Sequence, residues 1–291
     1  MAATAHYLNS NIINLLLFSN GNHIGSATGF ILKYKNDWFL VTNWHVLSGR
    51  DPTDGQSRNQ NSAIPDTVKF NVLHFESNVF FPKMHEVKLL DWSGDSLWFH
   101  HPIHGQNVDI ACLLISESQK GTAKDLLEPG GNDPEMFIDM GHDLFLPGFP
   151  LGFSANGLPI WKRASLASSL EFDHGMKYFF YVDTATREGM SGSPCLAISN
   201  WKHYSLDRAT GKVKVVEQPM SWRLFGIYSG RRNPSDGFEA QIGIVWRETL
   251  MLEILAARKR ATYILREKEV NDVSEYHSYS HVVFKNQHQI S

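Results

Sequence analysis

Short apolar runs interrupted by turn-forming residues recur along nearly the whole chain, and few are long enough to make a helix. Gly29 to Tyr34, then Asn36-Asp37, then Trp38 to Thr42 predicts a hairpin, because turn formers separate two runs rich in branched and aromatic residues. Further strands are expected at Thr67 to Phe75, Val108 to Ile115, Asp143 to Leu146, Tyr178 to Val182, Cys195 to Ile198, Arg223 to Tyr228 and Gln241 to Val245. Many short strands without intervening helices point to an antiparallel sandwich or barrel and away from a parallel sheet. The helical exception is Arg247 to Ile264, where Leu250, Met251, Ile254 and Leu255 recur at helical spacing and basic residues gather towards the end.

A chain of 291 residues has room for one large domain or two ordinary ones. With 42% hydrophobic and 20% charged residues it is neither a disordered polymer nor a fibre. Lys and Arg number 27 against 30 Asp and Glu, a formal charge of -3, which gives no support to coating nucleic acid or lying on a membrane. The apolar run Ile12 to Phe18 is interrupted by Asn14 and has no Lys or Arg before it, so neither a leader nor a membrane span is expected. Two cysteines, Cys112 and Cys195, are too few for a disulfide framework or a four-thiolate zinc site. A cytoplasmic protein is expected on these grounds. Ser48 to Pro65 and Asn200 to Met220 look like surface excursions, the second a hairpin around Ala209 to Lys212, and the tail from Lys268 to Ser291 looks loosely held.

Chemistry concentrates in Arg187-Glu188-Gly189-Met190-Ser191-Gly192-Ser193-Pro194, a serine bracketed by glycines and stopped by proline. A nucleophilic serine needs backbone N–H groups converging on the oxygen of the carbonyl it attacks, and small flanking residues let the chain make that turn. The same composition also suits an ordinary surface turn. Val41-Thr42-Asn43-Trp44-His45-Val46-Leu47 sets a histidine at the end of an apolar strand, entering a polar turn, and Val108-Asp109-Ile110-Ala111-Cys112-Leu113-Leu114 begins an apolar strand with an aspartate. Alone, His45 could be a hydrogen-bonded structural residue and Asp109 a turn former. Together they supply, in chain order, a base, its orienting carboxylate and a nucleophile.

On these residues the chain resembles the trypsin-like, chymotrypsin-fold serine peptidases, and more closely the disulfide-poor bacterial, HtrA-like branch than the secreted digestive one. Ala27 to Leu32 is similar to that family's Gly-rich first-barrel strand, Thr42-Asn43-Trp44-His45-Val46 to its Thr-x-x-His-Val element, and Asp109-Ile110-Ala111 to its Asp-Ile-Ala strand. Leu146 to Gly152 resembles the element opening the second barrel, Gly189 to Pro194 the nucleophile loop, and Leu224 to Gly230 the substrate-pairing strand. The separations, 64 residues from His45 to Asp109 and 82 from Asp109 to Ser191, leave each barrel its strands.

The resemblance implies an all-β fold of two antiparallel six-stranded barrels: an N-terminal barrel over 1–130, a second over 131–246, a C-terminal helix over 247–266 and a polar tail over 267–291. It implies a serine endopeptidase with triad His45, Asp109 and Ser191 and an oxyanion hole from the N–H groups of Gly189 and Ser191. Ser229 and Gly230 would pair with extended substrate, and Ala185, Thr186 and Tyr228 would line the pocket for the residue before the cut, the P1 residue. Partners are then a protein or peptide substrate and an activating protein, with no nucleic acid, membrane or cofactor.

Departures bear on control and specificity. Met190 stands where the digestive branch has an aspartate that binds the newly cut N-terminus, so activation by that cleavage is not expected. Control would have to come from rearranging Thr184 to Met190, in which a flip at Gly189 erases the oxyanion hole. Such a chain could be an effector held off until a partner docks, or a silent peptide-binding relative. Ala185 holds the position six before the nucleophile, so the acidic floor that selects Lys or Arg is missing. A small or apolar P1 residue is the first expectation, and an acidic one follows if Arg231 or Arg232 reaches the pocket.

Other clusters read as structural. His100, His101 and His104 could hold a metal, but no Cys or carboxylate nearby completes a set, and a solvated loop is expected. Cys195 reads as a small core residue, Trp38, Trp44 and Trp161 as packing, and Arg258-Lys259-Arg260 as a solvated helix end.

Overall fold

The computed structural model describes residues 8–57, 63–128, 131–170, 178–207, 209–231 and 241–262. The first half is an antiparallel sheet of β1 (Ile12–Ser19), β2 (Asn22–Tyr34), β3 (Asp37–Thr42), β4 (Thr67–Glu76), β5 (Val79–Lys88), β6 (Trp98–Phe99) and β7 (Ala111–Ile115). Its order is β5-β4-β1-β2-β3-β7-β6. The expected hairpin is present, with Tyr34 opposite Asp37 across a tight turn in which Lys35 adopts φ 56°. A second tight turn joins β1 to β2 through Asn20 and Gly21, both at positive φ, which matches the right-handed twist of the strands they link.

The second half is a closed six-stranded barrel of β8 (Asp143–Gly148), β9 (Ile160–Leu166), β10 (Phe179–Asp183), β11 (Pro194–Asp207), β12 (Lys212–Arg231) and β13 (Ile242–Arg247), in the order β10-β13-β12-β11-β8-β9. β11 and β12 run past the barrel as a long ribbon, the hairpin expected over Asn200 to Met220.

The chain is therefore all-β in a chymotrypsin-like two-sheet arrangement, and the second barrel has its six strands. The first half departs from six: it has seven strands, because the two residues Trp98 and Phe99 add a short outer ladder against β7. The strand expected from Val108 starts at Ala111, since the Ile110 N–H turns back to the Val108 carbonyl and leaves Asp109 outside the ladder.

Two cores hold the halves. Met136, Leu144, Leu146, Ala164, Leu166, Phe180, Val182, Met190, Phe225 and Val245 fill the barrel. A second cluster joins Phe30, Phe39, Val41 and Ile110 of the first half to Leu196, Leu224 and Ile227 of the second. Helix α1 is the single turn Trp44–Ser48, and α2 is Glu248–Ala257. Leu250, Met251, Ile254 and Leu255 of α2 are buried in that shared cluster, the stripe read from the sequence. The helix stops before the expected Ile264 because Arg258 turns left-handed at φ 50° and donates its N–H to the Ile254 carbonyl. The tail expected from Lys268 to Ser291 lies outside the described residues.

The Arg258 guanidinium pairs with Asp37 at 2.6 Å, and Lys259 donates to the Pro102 carbonyl at 3.0 Å, so this basic run ties the helix end to the first half. The solvated-loop expectation for the histidine run is corrected: His100 and His101 are buried. His101 donates its Nε2–H to the Glu253 carboxylate at 2.9 Å and accepts the N–H groups of Ile103 and His104 on Nδ1. Burial pushes the His100 pKa down to about 4.

Candidate active site

Strand β3 ends at Thr42, and the turn of α1 that follows carries His45 inward rather than into the polar turn the sequence suggested. His45 Nδ1 lies 2.7 Å from Asp109 Oδ2, and the His45 backbone N–H donates to Asp109 Oδ1 at 2.9 Å. Asn43 donates its side-chain amide to the Asp109 carbonyl at 2.8 Å, which fixes the residue just ahead of β7. A third donor to the carboxylate is the Ser229 hydroxyl, bonded to Oδ2. The sequence reading gave Ser229 main-chain work only, and its side-chain role was missed.

Asp109 is 1% exposed. Burial pushes its carboxyl up, but the imidazole beside it and the hydrogen bonds from His45 and Ser229 outweigh burial and hold the pKa below its ordinary 3.8. The carboxylate is thus ionised and oriented at neutral pH, which fixes the imidazole with its Nδ1 side towards Asp109.

Ser191 sits at the other end of the same constellation. Its hydroxyl donates to the Ser229 carbonyl at 3.4 Å, a long bond, and among the described residues it has no hydrogen bond to His45. Ser229 therefore bridges the two: its hydroxyl holds Asp109 and its carbonyl receives Ser191. Bonds between a nucleophile and its base commonly tighten only with substrate present.

The nucleophile loop is clasped from the first half by Thr28. The Thr28 N–H donates to the Ser191 carbonyl at 2.9 Å, and its hydroxyl donates to the Gly189 carbonyl at 2.7 Å while accepting the Phe149 N–H at 3.0 Å. The Glu188 carbonyl accepts the Leu151 N–H at 2.7 Å. With these three carbonyls held, the Gly189 and Ser191 N–H groups have no partner among the described residues. Two free, adjacent donors beside a serine hydroxyl can receive a developing oxyanion.

Glycine is required twice here. Gly189 and Gly192 both sit at φ 88°, and a Cβ on Gly192 would strike the Thr28 carbonyl and the Thr42 hydroxyl. Gly192→Ala is expected to destabilise the fold by about 3 kcal/mol or more, read as a shift in the denaturant midpoint.

The remaining expected site residues fall around this loop. Thr186 is buried with its hydroxyl bonded to that of Tyr228, Ala185 is exposed, and its carbonyl accepts the Lys162 ammonium at 2.6 Å. Gly230 passes close to Ser191, since a Cβ there would lie 3.9 Å from Ser191 Oγ. The Arg231 and Arg232 side chains lie outside the described residues. Cys195 and Cys112 are free and buried, and burial raises both thiol pKa values, so neither is poised as a nucleophile. Among the described residues no group of three or more His, Cys, Asp or Glu could hold a metal, and no helix is long and apolar enough to cross a membrane.

No curated protein matches the sequence. Among solved structures, a serine endoprotease from Yersinia pestis is similar with a TM-score of 0.50 at 12% identity, over 88% of this chain and 65% of that one. The chain thus spans just under two thirds of that protein. An inactive mutant form of Rv3671c from M. tuberculosis H37Rv matches with a TM-score of 0.44 at 14% identity, over 87% of this chain and 88% of that one. The model of the trypsin-like peptidase domain matches residues 27–203, which run from the strand bearing Thr28 through His45, Asp109 and Ser191. More than half of the sequence, including every residue of the constellation except Ser229, falls within that match, and the chain belongs to the trypsin-like peptidase domain family.

Proposed function

We propose that the protein is a serine endopeptidase that cuts peptide bonds through an acyl-enzyme intermediate. Ser191 Oγ attacks the scissile carbonyl carbon, and its proton passes to His45 Nε2. Asp109 keeps the imidazole oriented and stabilises its charged form without taking the proton. The Gly189 and Ser191 N–H groups receive the oxyanion. The protonated imidazole then gives its proton to the leaving amine, and water repeats the sequence to free the acid. Substrate enters as an extended strand along Ser229 and Gly230, which favours unfolded or loop peptide. Two free buried thiols support a reducing, cytoplasmic setting.

The observation that carries this reading is the convergence on Asp109 of His45 and Ser229, with Ser191 reaching the same Ser229. A fluorophosphonate probe is the direct test: it should attach to Ser191 and to no other residue. Absence of labelling, together with no cleavage of denatured protein, would overturn the proposal. A second reading, an effector held off until a partner docks, draws on the serine's resting bond to the Ser229 carbonyl. It requires that the isolated protein be inactive and that a cell extract or co-purified partner restore cleavage.

Ser229→Ala removes one of three donors to a buried carboxylate. Hydrogen bonds to charged groups contribute about 1.5–3 kcal/mol, so kcat should fall roughly tenfold to a hundredfold with KM little changed. A series of peptide substrates at saturating concentration checks this.

A further inference from the structure

We infer that Lys162 selects the substrate: the enzyme cuts after an acidic residue, whose side-chain carboxylate is received by the Lys162 ammonium beside Ala185. This inference rests on the peptidase reading above and goes further by naming the class of bond that is cut.

Strand β9 alternates, and Ala164 and Leu166 belong to the barrel core, so Lys162 projects to the same inner face. Its end of the strand is also the end occupied by the nucleophile loop. Ile160 pairs with Gly148, and a Cβ on Gly148 would lie 3.0 Å from the sulfur of Met190, the residue before Ser191. The Thr184 hydroxyl donates to the neighbouring Arg163 carbonyl at 3.2 Å. Lys162 then crosses to the Ala185 carbonyl at 2.6 Å, six residues before the serine.

That bond uses one of the three ammonium protons. Among the described residues no carboxylate pairs with Lys162. Asp143 is taken by Arg163 at 2.6 Å, and the nearby Asp183 and Glu188 make no ion pair with it. The ammonium keeps two donors and has no counter-charge among the described residues, and a substrate carboxylate would supply one. The rest of this wall suits such a guest. Ala185 leaves room, and the buried Thr186 and Tyr228 hydroxyls make the surroundings polar rather than greasy. An acidic P1 residue therefore replaces the small or apolar one as the favoured substrate, and the residue responsible is Lys162, on β9, rather than an arginine after the pairing strand.

A purely structural lysine could instead do no more than brace the Ala185 carbonyl. Lys162→Gln separates the two, since an amide still donates a hydrogen bond but carries no charge, whereas Lys162→Arg keeps the charge. Peptides differing only in Glu or Gln at P1 should show wild-type kcat/KM favouring Glu by roughly tenfold to a hundredfold, the range expected for a charge-assisted hydrogen bond. Lys162→Gln should bring that ratio close to one, Lys162→Arg should keep most of it, and Lys162→Glu should turn the mapped cuts in a denatured proteome towards Lys and Arg.

A wild-type ratio near one, or a ratio that Lys162→Gln leaves unchanged, overturns the inference. If nothing is cut, the same comparison is made by calorimetry with the Ser191→Ala protein and acetylated tetrapeptides ending in Glu or Gln. Preference for the Glu peptide that depends on Lys162 then supports the pocket assignment while the peptidase reading fails, and equal binding sinks the pocket assignment on its own.

Discussion

Ser191→Ala is expected to lower turnover by on the order of 10⁴–10⁶-fold while leaving the protein folded. The loss is large because, in the proposed mechanism, the residues of the site act as one unit: without the hydroxyl no acyl-enzyme would form, and neither His45 nor the Gly189 and Ser191 N–H groups would have an attack to assist. Stability should move by less than about 0.5 kcal/mol, since the hydroxyl makes only one long bond, to the Ser229 carbonyl. The bond that holds the loop, from the Thr28 N–H to the Ser191 carbonyl, belongs to the backbone and survives the change. Initial rates on an unfolded protein substrate and a thermal melt, run side by side, check both halves. A variant that melts normally and still cuts at the wild-type rate would remove Ser191 from the chemistry.

Asp109→Asn should cost about 10⁴-fold in turnover through the orientation of His45. An amide offers one acceptor where the carboxylate takes three donors, so its NH2 group faces either the imidazole N–H or the backbone N–H of His45. The ring then loses the partner that holds its tautomer. The same substitution changes the response to acid. Because the native pKa of Asp109 lies below 3.8, the unfolded chain binds the proton more readily than the folded one. The contribution to stability is fully present above about pH 4 and is lost as pH falls through the lower native-state value. Asp133, whose carboxyl is pushed up by burial but held below 3.8 overall by His203, Ser205 and the Glu135 N–H, acts in the same direction. Urea midpoints measured from pH 7 down to pH 2 should therefore fall more gently in Asp109→Asn than in the wild type, leaving the slope due to the other groups whose pKa is lowered, among them Asp133, Asp207 and His100.

The nucleophile loop, His45 and Asp109 were legible because each is a short local pattern, glycines around a serine or a polar residue at the edge of an apolar run. Ser229 was legible as a position and not as a side chain, since its partner Asp109 is 120 residues away and only the fold brings them together. Thr28 was visible within its strand motif, yet nothing local marks it as the residue that touches Ser191, Gly189 and Phe149. Lys162 carries no motif at all, and its meaning comes from the face of β9 on which it lies.

Among the strands, β1 reads in the sequence only as an apolar run, although Asn20-Gly21 after it is a strong hairpin signal. β5 and β9 were missed for a different reason. Val79 to Lys88 is mostly exposed, and Ile160 to Leu166 interleaves Lys162 and Arg163 with its core residues, so neither shows a continuous apolar run.

The clasp made by Thr28 has a mechanical consequence. The groups that would stabilise the transition state lie in the second half, and one threonine of the first helps to hold their loop. Any process that parts the two sheets, such as mild urea, pressure or a ligand wedged at the seam, should extinguish hydrolysis before either sheet loses its strands. Enzyme activity then serves as a sensor of the seam alone, and its loss should precede the far-ultraviolet signal of unfolding.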